Sequence, residues 1–234
     1  MTRSAVELED APSTQKLPQP RPAGKRGRPR KSETDSRTAT RDSLLQAARD
    51  AMVAKNSIDV SLAEISEITG NSPGLIVYHF QNKEGLLLSL IELDAAKATS
   101  QLEGLRALDI PADKKMRMHI GGILSAYFKT PYANRLLNEL MQNASPESAR
   151  HVSEVFLKPI ADFQRDLLDQ GVKEGVFRPV DPTDFYFIIL GACDHLFARP
   201  SALKNIFGVE RITDETRRRY SKSLTDLVMA GIAA

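Results

Sequence analysis

An all-α fold is predicted for this chain of 234 residues: an N-terminal three-helix helix-turn-helix unit, then a C-terminal helical bundle, about nine helices in total. Three observations carry that expectation. Strand signals are poor, with 6% aromatic residues, no Trp and few alternating apolar runs. Apolar residues recur instead at helical spacing between breaks marked by Pro and Gly. And the stretch from Ser61 to Gly85, SLAEISEITGNSPGLIVYHFQNKEG, contains two helix starts separated by a tight reversal.

In chain order, residues 1–36 are rich in Pro, Ser, Thr and charge and too poor in large apolar groups to bury a core, so a disordered tail is expected. Its arm, residues 21–31, holds Arg21, Lys25, Arg26, Arg28, Arg30 and Lys31 without an acid, a local charge of +6, whereas the whole chain carries only +2. Residues 32–85 carry five bases against eight acids, a sum of −3, so long-range attraction to a polyanion must come mostly from the arm. Within it, Lys25-Arg-Gly-Arg-Pro-Arg-Lys31 resembles an AT-hook, which implies that Arg26, Arg28 and Arg30 enter an A·T-rich minor groove. The plainer alternative is a solvated basic tail that raises non-specific affinity.

Thr38 to Ala54 reads as an amphipathic helix, with Leu44, Leu45, Ala48, Ala51 and Met52 on one side and Arg37, Arg41, Asp42 and Arg49 outside. Lys55-Asn56-Ser57 ends it, and Ile58 and Val60 turn inward. Ser61 followed by Glu64 is a capping box, so a helix starts there. Gly70-Asn71 tolerates a left-handed backbone and stops it. Ser72 as N-cap with Pro73 at the first helical position starts the next, which runs to about His79. Two short helices at this spacing make a helix-turn-helix, whose second member enters a DNA major groove. That member offers Gly74, Leu75, Ile76 and Val77, with no Arg, Asn or Gln for bidentate base contacts. Ser72 and Gly74 allow close backbone approach, and an outward apolar side chain can meet thymine methyls.

A long helix is expected from Asn82 to about Leu108, bounded by Asp109-Ile-Pro111. Five more follow, roughly 112–129, 131–144, 147–175, 182–199 and 214–232, with Pro200 to Thr213 read as a break. The helix over 182–199 is apolar on most faces, so most of its faces must be covered.

The core Ser72-Pro-Gly-Leu-Ile-Val-Tyr-His-Phe80 and Asn82-Lys-Glu-Gly-Leu86 resemble the DNA-binding domain of the TetR family of bacterial transcriptional regulators. Two positions depart from the usual pattern: Asn71 replaces a small apolar residue, and Val77 replaces an aromatic before Tyr78. The resemblance implies that Tyr78, His79 and Lys83 hold phosphates, with Ser61, Ser72 and Gly74 completing the DNA-facing set. It implies three regions: a tail over 1–36, a head over 37–84, and an effector-binding and dimerisation body over 85–234. It also implies a two-fold dimer through Phe185, Ile188, Ile189, Ala192, Leu196, Tyr220, Leu224, Leu227 and Val228, against the alternative that both helices are simply core. Arg135-Leu-Leu-Asn-Glu-Leu140, Val180-Asp-Pro182 and Asp194-His195 more faintly resemble the pyrimidine-utilisation regulators of the same family.

An effector cavity is expected between body helices. Its polar candidates are Tyr127, Arg135, Asn138, Gln142, His151, Gln164 and His195, each weighed against a structural role, such as an i,i+4 ion pair of Arg135 with Glu139. Neither a cofactor nor a metal site is expected, since no Cys/His pairing or phosphate-cradling Gly loop occurs. A lone cysteine, Cys193, excludes an internal disulfide and fits a reducing cytoplasm, with nucleoid association when DNA is bound. No apolar run approaches membrane-spanning length. The function expected is a sequence-specific DNA-binding regulator, a homodimeric repressor released from its operator by a small molecule. An architectural DNA protein without an effector is the alternative, and an α-helical enzyme the remote one.

Overall fold

The computed structural model describes residues 33–234, with side chains from residue 40 onward. The basic arm, and with it Arg26, Arg28 and Arg30, lies outside the described residues. Among those described there is no named strand, only the isolated bridge between Phe177 and Ala233.

The head is built as its caps dictate. Helix α1 (Glu33–Lys55) starts five residues earlier than the amphipathic pattern suggested and buries Leu44, Leu45, Ala48, Ala51 and Met52. Helix α2 (Leu62–Thr69) opens on Ser61, whose Oγ accepts the Glu64 amide at 3.1 Å. The capping box is only half formed, because the Glu64 carboxylate turns away to Lys55 Nζ at 2.7 Å. Gly70, at φ +66°, closes α2. The reversal is held by Ser66 Oγ, which donates to the Asn71 carbonyl at 2.5 Å. Helix α3 (Pro73–Phe80) then starts on Ser72, whose Oγ accepts the Leu75 amide at 3.3 Å.

The junction to α4 (Lys83–Ala107) is tight. Gln81 sits at φ +63°, ψ −55°, and Asn82 N–H reaches back to the Phe80 carbonyl at 2.7 Å, a γ-turn of the rare positive-φ kind. Asn82 caps α4 through the Gly85 amide at 2.9 Å. Gly85 is required here: a Cβ on it would stand 2.0 Å from the Phe80 carbonyl oxygen.

Beyond α4 come α5 (Ala112–Lys129), α6 (Ala133–Gln142), α7 (Pro146–Val152), α8 (Lys158–Lys173), α9 (Pro182–Ala198), α10 (Pro200–Phe207) and α11 (Asp214–Ile232). Two of these differ from the sequence reading. The helix expected over 147–175 is α7 and α8 joined through a π-helical turn, Ser153–Leu157, in which the Lys158 N–H reaches the Ser153 carbonyl. Pro159 follows at once and has no N–H for the preceding turn, so the backbone widens instead of breaking. Helix α10 was expected to be a loop. Pro200 begins a helix there because it occupies the first turn, where a missing N–H is harmless, and Gly208 at φ +66° ends it.

Two apolar cores result. The first joins α1, α2, α3 and the start of α4 to Tyr132, Leu136 and Leu140 of the α6 region and Val152 of α7. The head is therefore not closed at residue 84; its core is completed by residues some fifty positions further on. The second core gathers α5, α8, α9 and α11 around Met116, Ile120, Leu124, Phe163, Leu167, Ile189 and Cys193. Between the cores, Lys115 is buried and caps the end of α4 by donating to the Arg106 carbonyl at 3.0 Å. Glu174 accepts the Ala112 amide at 2.8 Å at the start of α5, and its carboxyl is held below the usual range mainly by that bond.

Candidate DNA-reading head and effector body

Helix α3 has an inside and an outside. Ile76 and Phe80 point into the first core, Phe80 being 2% exposed with the Arg41 guanidinium 5.6 Å over its ring. Tyr78 is 65% exposed and Val77 48%. Ser72, Pro73 and Gly74 are exposed, and nothing lies within 4 Å of a Cβ built on Gly74. His79 is half-buried, with its ring edge-on to Tyr78 at 5.3 Å. Ser61 is exposed and occupied as a cap. Lys83, in the first turn of α4, is held 3.2 Å from Asp59, an exposed pair that a phosphate can displace at little cost. The face formed by Ser72, Gly74, Val77, Tyr78 and Lys83 is thus apolar and hydroxyl-bearing, with its nearest cation at one edge. Val77 stood outside the predicted set; its alternation with the buried Ile76 and Phe80 was the available signal.

Head and body are joined by polar contacts as well as by packing. Arg49 on α1 donates from Nε to the Tyr132 hydroxyl at 3.0 Å and from Nη2 to Asp94 on α4 at 2.6 Å. Burial pushes the Asp94 carboxyl up, and Arg49 opposes that shift. Burial, then the Asp94 charge, pushes the Tyr132 phenol up to about 12. Glu84 accepts from Ser148 Oγ at 2.5 Å and from the Ser145 amide at 3.3 Å, tying the start of α4 to the start of α7. Arg135 donates to Asn56 Oδ1 at 2.6 Å. The Arg135–Glu139 pair weighed as the structural alternative does not form: Glu139 accepts from Asn143, and Arg135 reaches Asn56 just beyond the end of α1.

The seven effector candidates do not converge. Arg135 belongs to the joint just described. Asn138 and Gln142 are exposed on α6, the former 3.4 Å from Asn134. His195 is exposed on α9. His151 pairs with Glu92 at 2.8 Å beside a surface groove of about 360 Å³ along α4, lined also by Ala95, Thr99 and Glu103. Only Tyr127 and Gln164 lie in or against the second core. Tyr127 stacks on Phe197 at 6.0 Å, and burial raises its phenol pKa.

Gln164 is fully buried, its Nε2 3.0 Å from His119 Nε2 and its Oε1 without a partner. His119, absent from the predicted set, is buried against Phe163 at 4.9 Å, and desolvation lowers its pKa to about 4. It falls on the apolar register of Met116, Ile120 and Leu124, which is the pattern that could have found it. On α9, Asp194 Oδ1 is a second buried acceptor without a donor.

The residues expected to meet a second copy divide into two groups. Phe185, Ile189 and Leu224 are buried in the second core of one chain, and Tyr220, Ala192 and Val228 pack against it, with the Tyr220 hydroxyl donating to the Ala192 carbonyl at 2.7 Å. Those six pack within the protomer, with Tyr220, Ala192 and Val228 keeping part of their surface open. Ile188 and Leu227 are exposed, as is the unpredicted Phe187, while Leu196 is half-buried.

A capped two-helix head with an outward second helix, set on an all-helical body, defines a DNA-binding transcriptional regulator of the helix-turn-helix class. Two family profiles match this chain. "Bacterial regulatory proteins, tetR family" covers residues 44–90, and "Tetracyclin repressor-like, C-terminal domain" covers residues 109–234. The chain belongs to the TetR family of bacterial transcriptional regulators.

It is 21% identical over 197 residues, 82% of this chain and 92% of the relative, to the HTH-type transcriptional repressor NicS of Pseudomonas putida. Its fold is similar to a TetR/AcrR-family regulator from Thermobifida fusca, with TM-score 0.63, 20% identity, and coverage of 80% and 97% of the two chains. It is similar too to FadR from Bacillus subtilis, crystallised with stearoyl-CoA, with TM-score 0.63, 19% identity, and coverage of 82% and 98%. Among the described residues no group of His, Cys, Asp and Glu could hold a metal ion, and no helix is long and apolar enough to cross a membrane.

Proposed function

We propose that this regulator is a homodimeric repressor whose two heads set Ser72 to His79 in successive major grooves of a near-palindromic operator, and whose body releases that operator when a small molecule binds. The observation that carries the reading is the division of α3: Ile76 and Phe80 anchored in the core, Val77 and Tyr78 turned outward. Tyr78, His79 and Lys83 hold phosphates, and Ser72 and Gly74 let the backbone approach. The basic arm adds attraction to A·T-rich flanks. Exposed Phe187, Ile188 and Leu227 form the centre of the contact between copies.

Release follows from the shared core. Because the α6 region completes the head's core, an effector that fits the body better with α6 and α4 displaced lowers DNA affinity by that difference in binding free energy and no more. The second core, with its buried acceptors on Gln164 and Asp194, is the place where a small molecule gains most from hydrogen bonds. The stearoyl-CoA complex of the FadR relative supports a body of this fold as a ligand holder.

The test is a comparison of duplexes selected from a random pool with unselected ones, at one salt concentration. A regulator binds the selected duplex about a thousandfold or more tighter. Equal affinity, together with a steep salt dependence set by the arm, would support an architectural DNA protein instead.

A further inference from the structure

We infer that Val77 is the base-reading side chain of α3, and that the group it reads is the C5-methyl of thymine. The inference rests on the regulator reading above and adds what the head selects. The outward strip of α3 is Pro73, Gly74, Val77 and Tyr78, and none of them bears a guanidinium or a carboxamide. Among the described residues of the head the cations have other partners: Lys55 with Glu64 at 2.7 Å, Arg49 with Asp94 at 2.6 Å, Arg41 with Ser89 at 2.8 Å, and Lys83 with Asp59 at 3.2 Å. The paired contacts that recognise guanine O6 and N7 or adenine N6 and N7 are therefore missing from this helix.

What the strip does present at its centre is a branched apolar knob. Val77 lies one turn after Pro73 and Gly74 and beside Tyr78, and it is 48% exposed while Ile76 before it is fully buried. In a helix a valine keeps one dominant χ1 rotamer, so its two methyl groups stand in fixed positions and lose little freedom on contact. The open space over Gly74 lets a base edge come close to that knob. Thymine is the one base whose major-groove edge carries an apolar group, so a thymine methyl is the complement that Val77 fits. Cytosine at the same step would leave both surfaces in water. Tyr78 and His79 then fix the register through phosphates, and Val77 decides the base.

The experiment uses the full chain and a duplex that the chain itself selects from a random pool. Each thymine of that duplex is replaced in turn by deoxyuridine, which keeps the base pair and removes only the methyl, and affinity is read by fluorescence anisotropy. One thymine position in each half-site is expected to lose about three- to tenfold in affinity. In V77A that position is expected to become insensitive to deoxyuridine, while any other sensitive position is unchanged. A flat scan with the wild-type chain, or a scan in which V77A abolishes the sensitivity of no position, would overturn the proposal and leave the regulator reading standing. A pool that yields no preferred duplex would overturn both.

Discussion

The two cores of this protein are built to different standards. The centre of the first is wholly apolar, Leu44, Met52, Ile65, Ile76, Leu90 and Leu136 among others, and its polar groups stand at the seam where Arg49 donates to both Tyr132 and Asp94. The second carries polar groups among its apolar ones: a neutral His119 against Gln164, and acceptors on Gln164 and Asp194 with no donor. An unpaired buried polar atom costs on the order of 1–3 kcal/mol, and each core bears that cost: Asp94 Oδ2 and Arg135 Nε at the seam of the first, Gln164 Oε1 and Asp194 Oδ1 in the second, where the atoms stand among the body's own apolar side chains. A reading head has to be rigid to hold α3 in register, whereas a body that accepts a ligand benefits from groups that a ligand can complete.

The largest expected effect breaks the first core at its tightest point. G85A puts a methyl 2.0 Å from the Phe80 carbonyl, in backbone that already holds a positive-φ residue at Gln81. A loss of about 3 kcal/mol in urea unfolding is expected, with operator binding abolished at micromolar protein. The equivalent insult to the second core is acid. His119 has a folded pKa of about 4 against 6.5 unfolded, so the stability tied to its neutral form is intact above about pH 6.5 and is lost as pH falls toward 4. The loss amounts to about 3 kcal/mol. It is measured as the fall in the urea midpoint between those pH values, and the double variant H119L/Q164L should flatten it.

Smaller effects sharpen the contrast. R49M leaves Asp94 without its cation at the seam, and a loss of about 2 kcal/mol is expected, with a double-mutant cycle against D94N recovering most of it. If the seam also couples body to head, R49M changes operator affinity by more than its effect on folding explains. D59N, the mildest, frees Lys83 for phosphate. About two- to fivefold tighter operator binding is expected at low salt, vanishing as ionic strength rises.

Much of the head could be read in advance because its signals are local. Ser61, Gly70, Ser72, Pro73 and Asn82 each satisfy or release backbone groups within a few residues, and a cap needs no distant partner to be recognised. Pro200 misled for the complementary reason: Pro marks a helix start as readily as a stop, and only the chain that follows decides which. The effector candidates scattered because polar residues at similar helical spacing look alike in sequence. Arg135 went to Asn56, seventy-nine positions away, and Gln164 to His119, forty-five positions away.

From sequence alone came the all-helical class and the capped helix-turn-helix, since helix period and capping chemistry act over one or two turns, while an outward Tyr78 was implied by the resemblance to the TetR family. Tertiary structure decided which residues complete the head's core, which faces of α9 and α11 remain open, and that His119 rather than an exposed histidine sits in the body's interior. Those outcomes depend on how rods from distant parts of the chain lie against one another, and the free energy of that packing is shared among residues that no local pattern links.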